Sequence, residues 1–315
     1  TPMKGLILSG GRGTRLRPLT YTSAKQLVPV ANKPVLFYGI EALAAAGIRD
    51  IGIVVGDTQA EIRAAVGDGA AWNIDVTYIE QDAPRGLAHA VLISQSFIGN
   101  DPFIVYLGDN LLAKGIVPFV ERFVDAQPAA QILLARVSDP ERFGVAELAE
   151  DGRVKKLVEK PAKPKSDLAL VGVYMFQPEV FQAVRNISPS PRNELEITDA
   201  IQQLIDNGLT VTPHIVDGWW KDTGKLEDML EANRLILETM ARRIEGSVDG
   251  ASRIEGNVVI EAGASISDST VRGPAIIGAR AEVRDAYIGP FTSIMNDVTI
   301  RGSEVEHSII LEGSE

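Results

Sequence analysis

The residues best suited to chemistry are cations set among glycines near the start of the chain. Gly10-Gly11-Arg12-Gly13-Thr14-Arg15-Leu16-Arg17-Pro18 follows the apolar run Gly5-Leu-Ile-Leu-Ser9, and Lys25-Gln26-Leu27 and Lys33-Pro34 come next. Residues 1–33 hold six cations (Lys4, Arg12, Arg15, Arg17, Lys25, Lys33) and no acid, although the whole chain stands at −11. Glycines let backbone N–H groups close around an anion, and cations neutralise it, so the stretch reads as a polyphosphate cradle. Two standard phosphate loops fail to match it. A P-loop needs Lys-Ser/Thr directly after its last glycine, where Thr14-Arg15 stands, and the dinucleotide fingerprint needs a third glycine where Leu16 stands.

Two acids face the same chemistry. Asp109 ends the apolar run Phe103-Ile-Val-Tyr-Leu107, and Asp222 follows Trp219-Trp220-Lys221. Paired carboxylates beside a polyphosphate are a donor set for Mg²⁺. A turn cap at Asp109 and a helix N-cap at Asp222 fit the same residues, and spacing alone does not choose. Glu159-Lys160-Pro161 has the groups to accept sugar hydroxyl protons and to meet a phosphate, though a solvated charge pair before a proline turn explains it as well. His89, His214 and His307 show neither zinc spacing nor a nucleophile context, and His89 and His214 read as structural.

These groups need a frame. Strands at 51–55, 76–79 and 103–107 alternate with helices over 34–46, 58–66 and 87–97, which predicts parallel βαβ units. Leu36, Ile40 and Leu43 share one face of the first helix. Parallel sheets bind ligands beyond the carboxyl ends of their strands, so the glycine loop and Asp109 belong on one edge. Further on, strands are expected at 132–137, 143–146, 154–159, 169–176 and 211–216. Helices are expected over 196–207 and 225–243, the last with Leu226, Leu230 and Leu237 aligned.

The tail changes character. Val248, Ile254, Ile260 and Ile266 recur every six residues, as do Val271, Ile277, Val283 and then Ile288, Ile294, Ile300, with five-residue steps between the sets. That period predicts a parallel β-helix with coils of 17 residues and Val or Ile inward. A boundary near Arg243 would give domains at 1–243 and 244–315. The repeat runs to Glu315 without a closing element, as expected of a chain that continues.

Composition narrows the partners. An excess of 42 acids over 31 Lys and Arg argues against nonspecific nucleic-acid and membrane-surface binding. The absence of cysteine removes disulfides and zinc thiolates, and suits a cytoplasmic protein. Apolar runs such as Ile132-Leu133-Leu134-Ala135 fall far short of the roughly 18 residues of a membrane span.

Taken together, these residues resemble the sugar-1-phosphate nucleotidylyltransferases. The family's Gly-Gly-x-Gly-Thr-Arg-Leu, Pro-x-Thr, Lys and Lys-Pro stand here as Gly10 to Leu16, Pro18-Leu19-Thr20, Lys25 and Lys33-Pro34. Lys25-Gln26-Leu27, Gln81 with Pro84-x-Gly86-Leu87-Ala88, Leu107-Gly108-Asp109-Asn110 and Glu194-Leu195-Glu196-Ile197-Thr198-Asp199 resemble the glucose-1-phosphate thymidylyltransferase branch over about residues 3–240. The tail is similar to that of the branch's long form, found in deoxysugar and antibiotic-sugar pathways.

The resemblance implies an α/β fold with a Rossmann-like nucleotidyltransferase domain on a mixed, mainly parallel sheet, then a left-handed parallel β-helix. Apart from the resemblance, β-helix coils leave edges that need a cap or a partner, which predicts a homo-oligomer. The resemblance also implies that dTTP and glucose 1-phosphate give dTDP-glucose and pyrophosphate, with Mg²⁺ as cofactor; UTP is the alternative nucleotide. Leu8, Gly10, Gly11, Gly13, Thr14 and Arg15 would hold the nucleotide with Gln26, Gln81, Pro84, Gly86 and Asp109. Arg15, Lys25 and Lys160 would carry catalysis, and Asp109 and Asp222 the metal. Gly144, Glu159, Lys160, Val171, Gly172 and Arg192 would bind the sugar phosphate. The chain departs from the family at Phe143, where Tyr is usual, and at Asn193, where Gly is usual. Hexapeptide acyltransferases and a silent regulatory homologue are the readings from other classes. His307 is the one histidine in the repeats, and intact Arg15, Lys25, Asp109 and Asp222 oppose a silent protein.

Overall fold

The apolar run ahead of the glycines forms the central strand β1 (Lys4–Leu8) of a computed structural model that describes residues 2–21 and 23–315. The hairpin β2 (Pro29–Val30) and β3 (Lys33–Pro34) follows, then α1 (Val35–Ala45), β4 (Asp50–Val55), α2 (Gln59–Val66) and β5 (Asp75–Glu80). Next come α3 (Leu87–Ile93), α4 (Gln95–Ile98), β6 (Phe103–Leu107), β7 (Asn110–Leu112), α5 (Val117–Ala126), β8 (Ala130–Arg136), β9 (Gly144–Leu148) and β10 (Val154–Glu159). The series continues with β11 (Leu168–Phe176), α6 (Glu179–Asn186), α7 (Ile197–Asp206), β12 (Val211–Ile215), β13 (Trp220–Asp222) and α8 (Leu226–Leu237).

A nine-stranded mixed sheet runs β10-β9-β11-β6-β1-β4-β5, with β8 also beside β11 and β12 beside β8. β1 is parallel to β4 and β6, and β4 to β5, while β11 is antiparallel to β6, β8 and β9. Both faces are covered, so β1 and β6 read as continuous apolar runs rather than alternating ones. Below the sheet Phe103 stacks on Phe181 at 5.5 Å between ring centres. Leu36, Ile40 and Leu43 of α1 are fully buried, as their spacing predicts.

Three expectations need correction. The helix over 87–97 breaks at Ser94, whose hydroxyl donates to the Ala90 carbonyl at 2.7 Å, a back-bond that competes with helix geometry. Helix α8 stops at Leu237, and Leu226 and Leu230 are exposed; Met229, Ala232, Asn233 and Leu237 form the buried face. Its packing partner presents a serine, so the buried face centres on an asparagine, which apolar periodicity does not detect. Asp222 lies on a strand, and the N-cap of α8 is Lys225, so the helix-cap role for Asp222 falls away.

The tail forms a left-handed parallel β-helix with three faces. Its strands stack in parallel as 243–244, 258–260, 275–277, 292–294 and 309–310 on the first face. Val258 pairs with Ala275 and Ala275 with Thr292, a 17-residue coil. Ile260, Ile266, Val271, Ile277, Val283, Ile288 and Ile294 fill the interior. By packing, the chain divides into one compact unit of Thr1–Thr14, Thr20–Gln26 and Leu36–Asp222 and a second of Arg15–Leu19, Leu27–Val35 and Thr223–Glu315. Helix α8 and two short N-terminal segments therefore group with the β-helix, whereas composition changes only near Arg243.

Candidate active site

The parallel strands bring their carboxyl ends to one edge. Leu8 pairs with Leu107 and with Val54. Just past the strands, Ser9 N–H donates to the Val54 carbonyl, Gln81 N–H to Val55 and Gly108 N–H to Leu8. The Gly10 loop and Asp109 thus share an edge, as strand order predicts, and Gln81 joins them there. Gly10 faces the Gln81 side chain, and Gly11 and Gly13 face Lys25. The Thr20 hydroxyl closes the loop by donating to the Gly13 carbonyl at 2.6 Å. Leu8 is buried beneath it, while Thr14 and Pro84 are exposed. Arg15 is exposed on the short turn Thr14–Leu16 and belongs to the second compact unit.

Lys25 forms an ion pair with Asp109, and each side chain is 17% exposed. Burial alone would push the Asp109 carboxyl up. The Lys25 ammonium, by charge and hydrogen bond, and the Asn110 amide at 3.0 Å outweigh it and hold the group below the usual carboxylate range. Asp109 is therefore ionised. Strand β13 pairs with β7 so that Asp222 lies opposite Asn110, one residue from Asp109. The ladder thus sets Asp222 against the residue that follows Asp109, with an Arg142 nitrogen 3.9 Å from Asp222. Gln26 is buried, and its Oε1 has no protein partner among the described residues, an unsatisfied acceptor of the kind a ligand satisfies.

At the far side of the loop, Gln81 Nε2 donates to the Gly86 carbonyl at 3.3 Å and to His89 Nδ1 at 3.0 Å. Burial, then the Arg85 charge, lower the His89 pKa, with Asp82 opposing them. The neutral ring offers Nδ1 as an acceptor. Both amide hydrogens of Gln81 are thereby used, which leaves Oε1 to accept from outside. His89, read as structural from sequence, sets the orientation of Gln81. Gly86 sits at φ 101°, and a Cβ there would stand 2.7 Å from the Leu195 backbone nitrogen. Leu195 N–H donates to the Arg85 carbonyl and Ala88 N–H to the Leu195 carbonyl, tying this loop to the segment that carries Arg192.

The sugar-side residues gather on β9, β10 and β11. Gly144 pairs with Glu159, and the Thr198 hydroxyl donates to Glu159 at 3.4 Å. Lys160 is exposed in left-handed backbone, φ 43°, with its N–H on the Phe143 carbonyl. Such strain in a non-glycine residue persists where the surroundings hold it, often at functional sites. Val171 is fully buried. Gly172 N–H donates to Asn110 Oδ1 at 3.1 Å, and a Cβ on Gly172 would be 2.6 Å from that oxygen. Trp220 Nε1 donates to the same oxygen at 2.7 Å. Asn110 thus joins the acid pair to the sugar side, although the sequence marks it only as the residue after Asp109.

Arg192 is held by acids. Its Nη2 donates to both Glu196 oxygens at 2.8 and 3.0 Å, and lies 3.4 Å from Glu194 and 3.7 Å from Glu159. Both departures from the family pattern gain a physical reason. Asn193 has φ 59°, a conformation glycine adopts freely and asparagine tolerates better than most residues. Phe143 packs against the Trp220 ring at 5.1 Å and lies under Arg142 at 5.3 Å, an aromatic wall that needs no hydroxyl.

Burial, then the Glu196 charge, push the Glu159 carboxyl up, against Lys160, Arg192 and Thr198. A group raised on folding contributes stability below its unfolded value and loses it as pH rises through the folded value. Glu159→Gln should therefore raise the melting temperature above about pH 4.5, with the gain vanishing in more acid solution. If Glu159 takes the sugar-phosphate role that the resemblance implies, the same change should raise the KM for glucose 1-phosphate about 10- to 100-fold, the effect of a charged hydrogen bond worth ~1.5–3 kcal/mol. A variant destabilised at neutral pH, with unchanged KM, would contradict both halves. Gly86→Ala should lower kcat/KM for the nucleotide about 5- to 150-fold, at ~1–3 kcal/mol for strained backbone; unchanged kinetics would remove this loop from the site.

A nucleotidyl transferase family model matches residues 4–239. The chain is 59% identical over 313 residues to a glucose-1-phosphate thymidylyltransferase of Streptomyces antibioticus, covering 99% of this chain and 88% of that one. It is 46% identical to a low-salt glycan biosynthesis nucleotidyltransferase of Haloferax volcanii, over 98% of this chain and 87% of that one. A Bacillus anthracis crystal structure titled as a glucose-1-phosphate thymidylyltransferase with sucrose superposes with TM-score 0.70 at 38% identity, over 74% of this chain and 94% of that one. A UDP-glucose pyrophosphorylase structure with UDP-glucose gives 0.68 at 26% identity, over 76% and 99%. With glycine loop, acid pair and sugar-side strands on one sheet edge, the chain belongs to the nucleotidyl transferase family, among the relatives of the glucose-1-phosphate thymidylyltransferases.

Proposed function

We propose that the protein transfers the thymidylyl group of dTTP to glucose 1-phosphate, giving dTDP-glucose and pyrophosphate. The observation that carries this is the contact chain Lys25–Asp109–Asn110–Gly172, which links the glycine loop to the sugar-side strands. The Streptomyces relatives support the choice of nucleotide and sugar. Gln81 supports the base: its remaining acceptor suits the N3–H of thymine or uracil, whereas cytosine offers a lone pair there. UTP is the second reading, favoured by the likeness to a UDP-glucose pyrophosphorylase. A methyl group in an apolar pocket discriminates by only about 1–3 kcal/mol.

A phosphate oxygen of glucose 1-phosphate attacks the α-phosphorus in line. A new P–O bond forms as the bond to the bridging oxygen breaks, and its electron pair leaves with pyrophosphate. The nucleophile is already ionised, so no general base is needed; positioning and charge neutralisation supply the catalysis. Arg15 and Lys25 neutralise the triphosphate. Lys160 and Arg192 hold the sugar phosphate, Arg192 exchanging Glu196 for it, and Glu159 accepts from the sugar hydroxyls. Asp109 and Asp222 are the carboxylates that would hold Mg²⁺, and two such donors fit an ion that otherwise keeps phosphate oxygens and water. Bound there, Mg²⁺ would add positive charge against the triphosphate.

No described helix is long and apolar enough to cross a membrane. We place the enzyme in the cytoplasm, which its cysteine-free composition suits, and as a homo-oligomer, since the first strand of each β-helix face, within 243–255, pairs on one side only among the described residues.

An initial-rate panel of dTTP, UTP, CTP, ATP and GTP with glucose 1-phosphate and Mg²⁺, reading pyrophosphate, tests this. Turnover is expected with dTTP, more weakly with UTP, and not with CTP; no turnover with dTTP overturns the reading. Asp109→Asn should cut metal-dependent turnover by at least about 100-fold with the fold intact, and full activity would remove it from the metal site.

A further inference from the structure

The β-helix touches the signature sequence inside its own compact unit. The hairpin β2–β3 starts three residues after Gln26 and turns through Ala31 (φ 47°) and Asn32 (φ 64°), two left-handed residues of which neither is glycine. A turn of this kind normally takes Asn-Gly, and an alanine there is strained. Something must hold it.

Asn233 of α8 does so. It is fully buried, and its Oδ1 accepts from Ala31 N–H at 2.8 Å and from the Ser293 hydroxyl at 2.7 Å, while its Nδ2 donates to the Phe291 carbonyl at 3.3 Å. On the other side of the turn, Asn32 Nδ2 donates to the Ile294 carbonyl at 2.7 Å. Ser293 continues an outward column on the first β-helix face, Val259–Ile276–Ser293, set by strand register. Val259 and Ile276 bury against Ala31 and Leu237, with Ile236 and Met240 at the margin. Outward positions on another face are charged and exposed, as at Glu282 and Arg284. An apolar outward column with one serine marks a face built to receive a partner, and that partner is α8 with the hairpin turn.

We propose that the β-helix is a positioning element for nucleotide transfer. Through Asn233, Ser293 and the Ile294 carbonyl it holds the strained turn whose hairpin leaves the chain directly after Lys25-Gln26. Asn233 and Asn32 are positioning residues. The tail thereby contributes to the reaction without contributing a catalytic group. This rests on the nucleotidyl-transfer reading above.

Full-length Asn233→Ala and Asn32→Ala test it against Val283→Ala, which loosens the β-helix interior at a site outside the Ala31 cluster. Melting temperature is measured with kcat and KM for dTTP and glucose 1-phosphate, well below every melting transition. Asn233→Ala should lower kcat/KM for dTTP about tenfold or more, misplacement of up to 1 Å costing as much as ~100-fold, with the KM for glucose 1-phosphate unchanged. Asn32→Ala, which loses one bond and strains the left-handed turn at φ 64°, should show the same selectivity and serves if Asn233→Ala does not fold. Val283→Ala should lower the melting temperature with wild-type kinetics. Asparagine variants with nucleotide kinetics within twofold of wild type, or a Val283→Ala defect of the same pattern, would overturn the proposal. Wild-type turnover of dTTP in the same series separates this failure from failure of the functional reading.

Discussion

A half-buried carboxylate kept ionised by one lysine is the interaction on which the site depends. Asp109 stands where β6 ends, and burial there opposes its charge. Lys25 supplies the balance from the turn Lys25–Leu27 beside the glycine loop, and Asn110 supplies a hydrogen bond from the other side. Removing Lys25 would leave a desolvated carboxylate without its counter-charge, which costs more than the pair contributes. Because Asn110 also receives Gly172 N–H and Trp220 Nε1, the acid's surroundings continue directly into the sugar-side strands and the ladder bearing Asp222.

That arrangement makes sense of a site without a nucleophile. Two phosphate-bearing substrates repel one another, so the protein's task is to offset charge and fix direction. The acids around Arg192 fit the same logic. Glu196, Glu194 and Glu159 keep the guanidinium in place by charge, while the Glu159 carboxyl is raised first by burial and then by Glu196, with Arg192 opposing. Backbone bonds between Leu195 and the Arg85–Ala88 stretch bring the base-side and sugar-side loops into one hydrogen-bonded segment.

Much of this was legible in one dimension. Strand-end placement follows from βαβ order, so the shared edge of the Gly10 loop and Asp109 is legible in the sequence, and hexapeptide spacing carries the β-helix interior. What escaped has a common cause: contacts made by polar side chains across long separations leave no period. Asn110 and His89 look ordinary in sequence and act by orienting their neighbours. Asn233 interrupts an apolar face, so the helix was read through Leu226 and Leu230, which are exposed. The outward column Val259–Ile276–Ser293 did carry a signal, since apolar residues at outward β-helix positions call for cover. The inward period hides it.

The central claim is that catalysis proceeds by one in-line displacement at the α-phosphorus, with the protein supplying position and charge alone. The direct test is the stereochemical course with a single diastereomer of dTTP carrying sulfur at a nonbridging α-oxygen. Inversion of configuration in the sugar nucleotide is the predicted result. Retention would require two displacements through a nucleotidylated side chain, and would contradict the account.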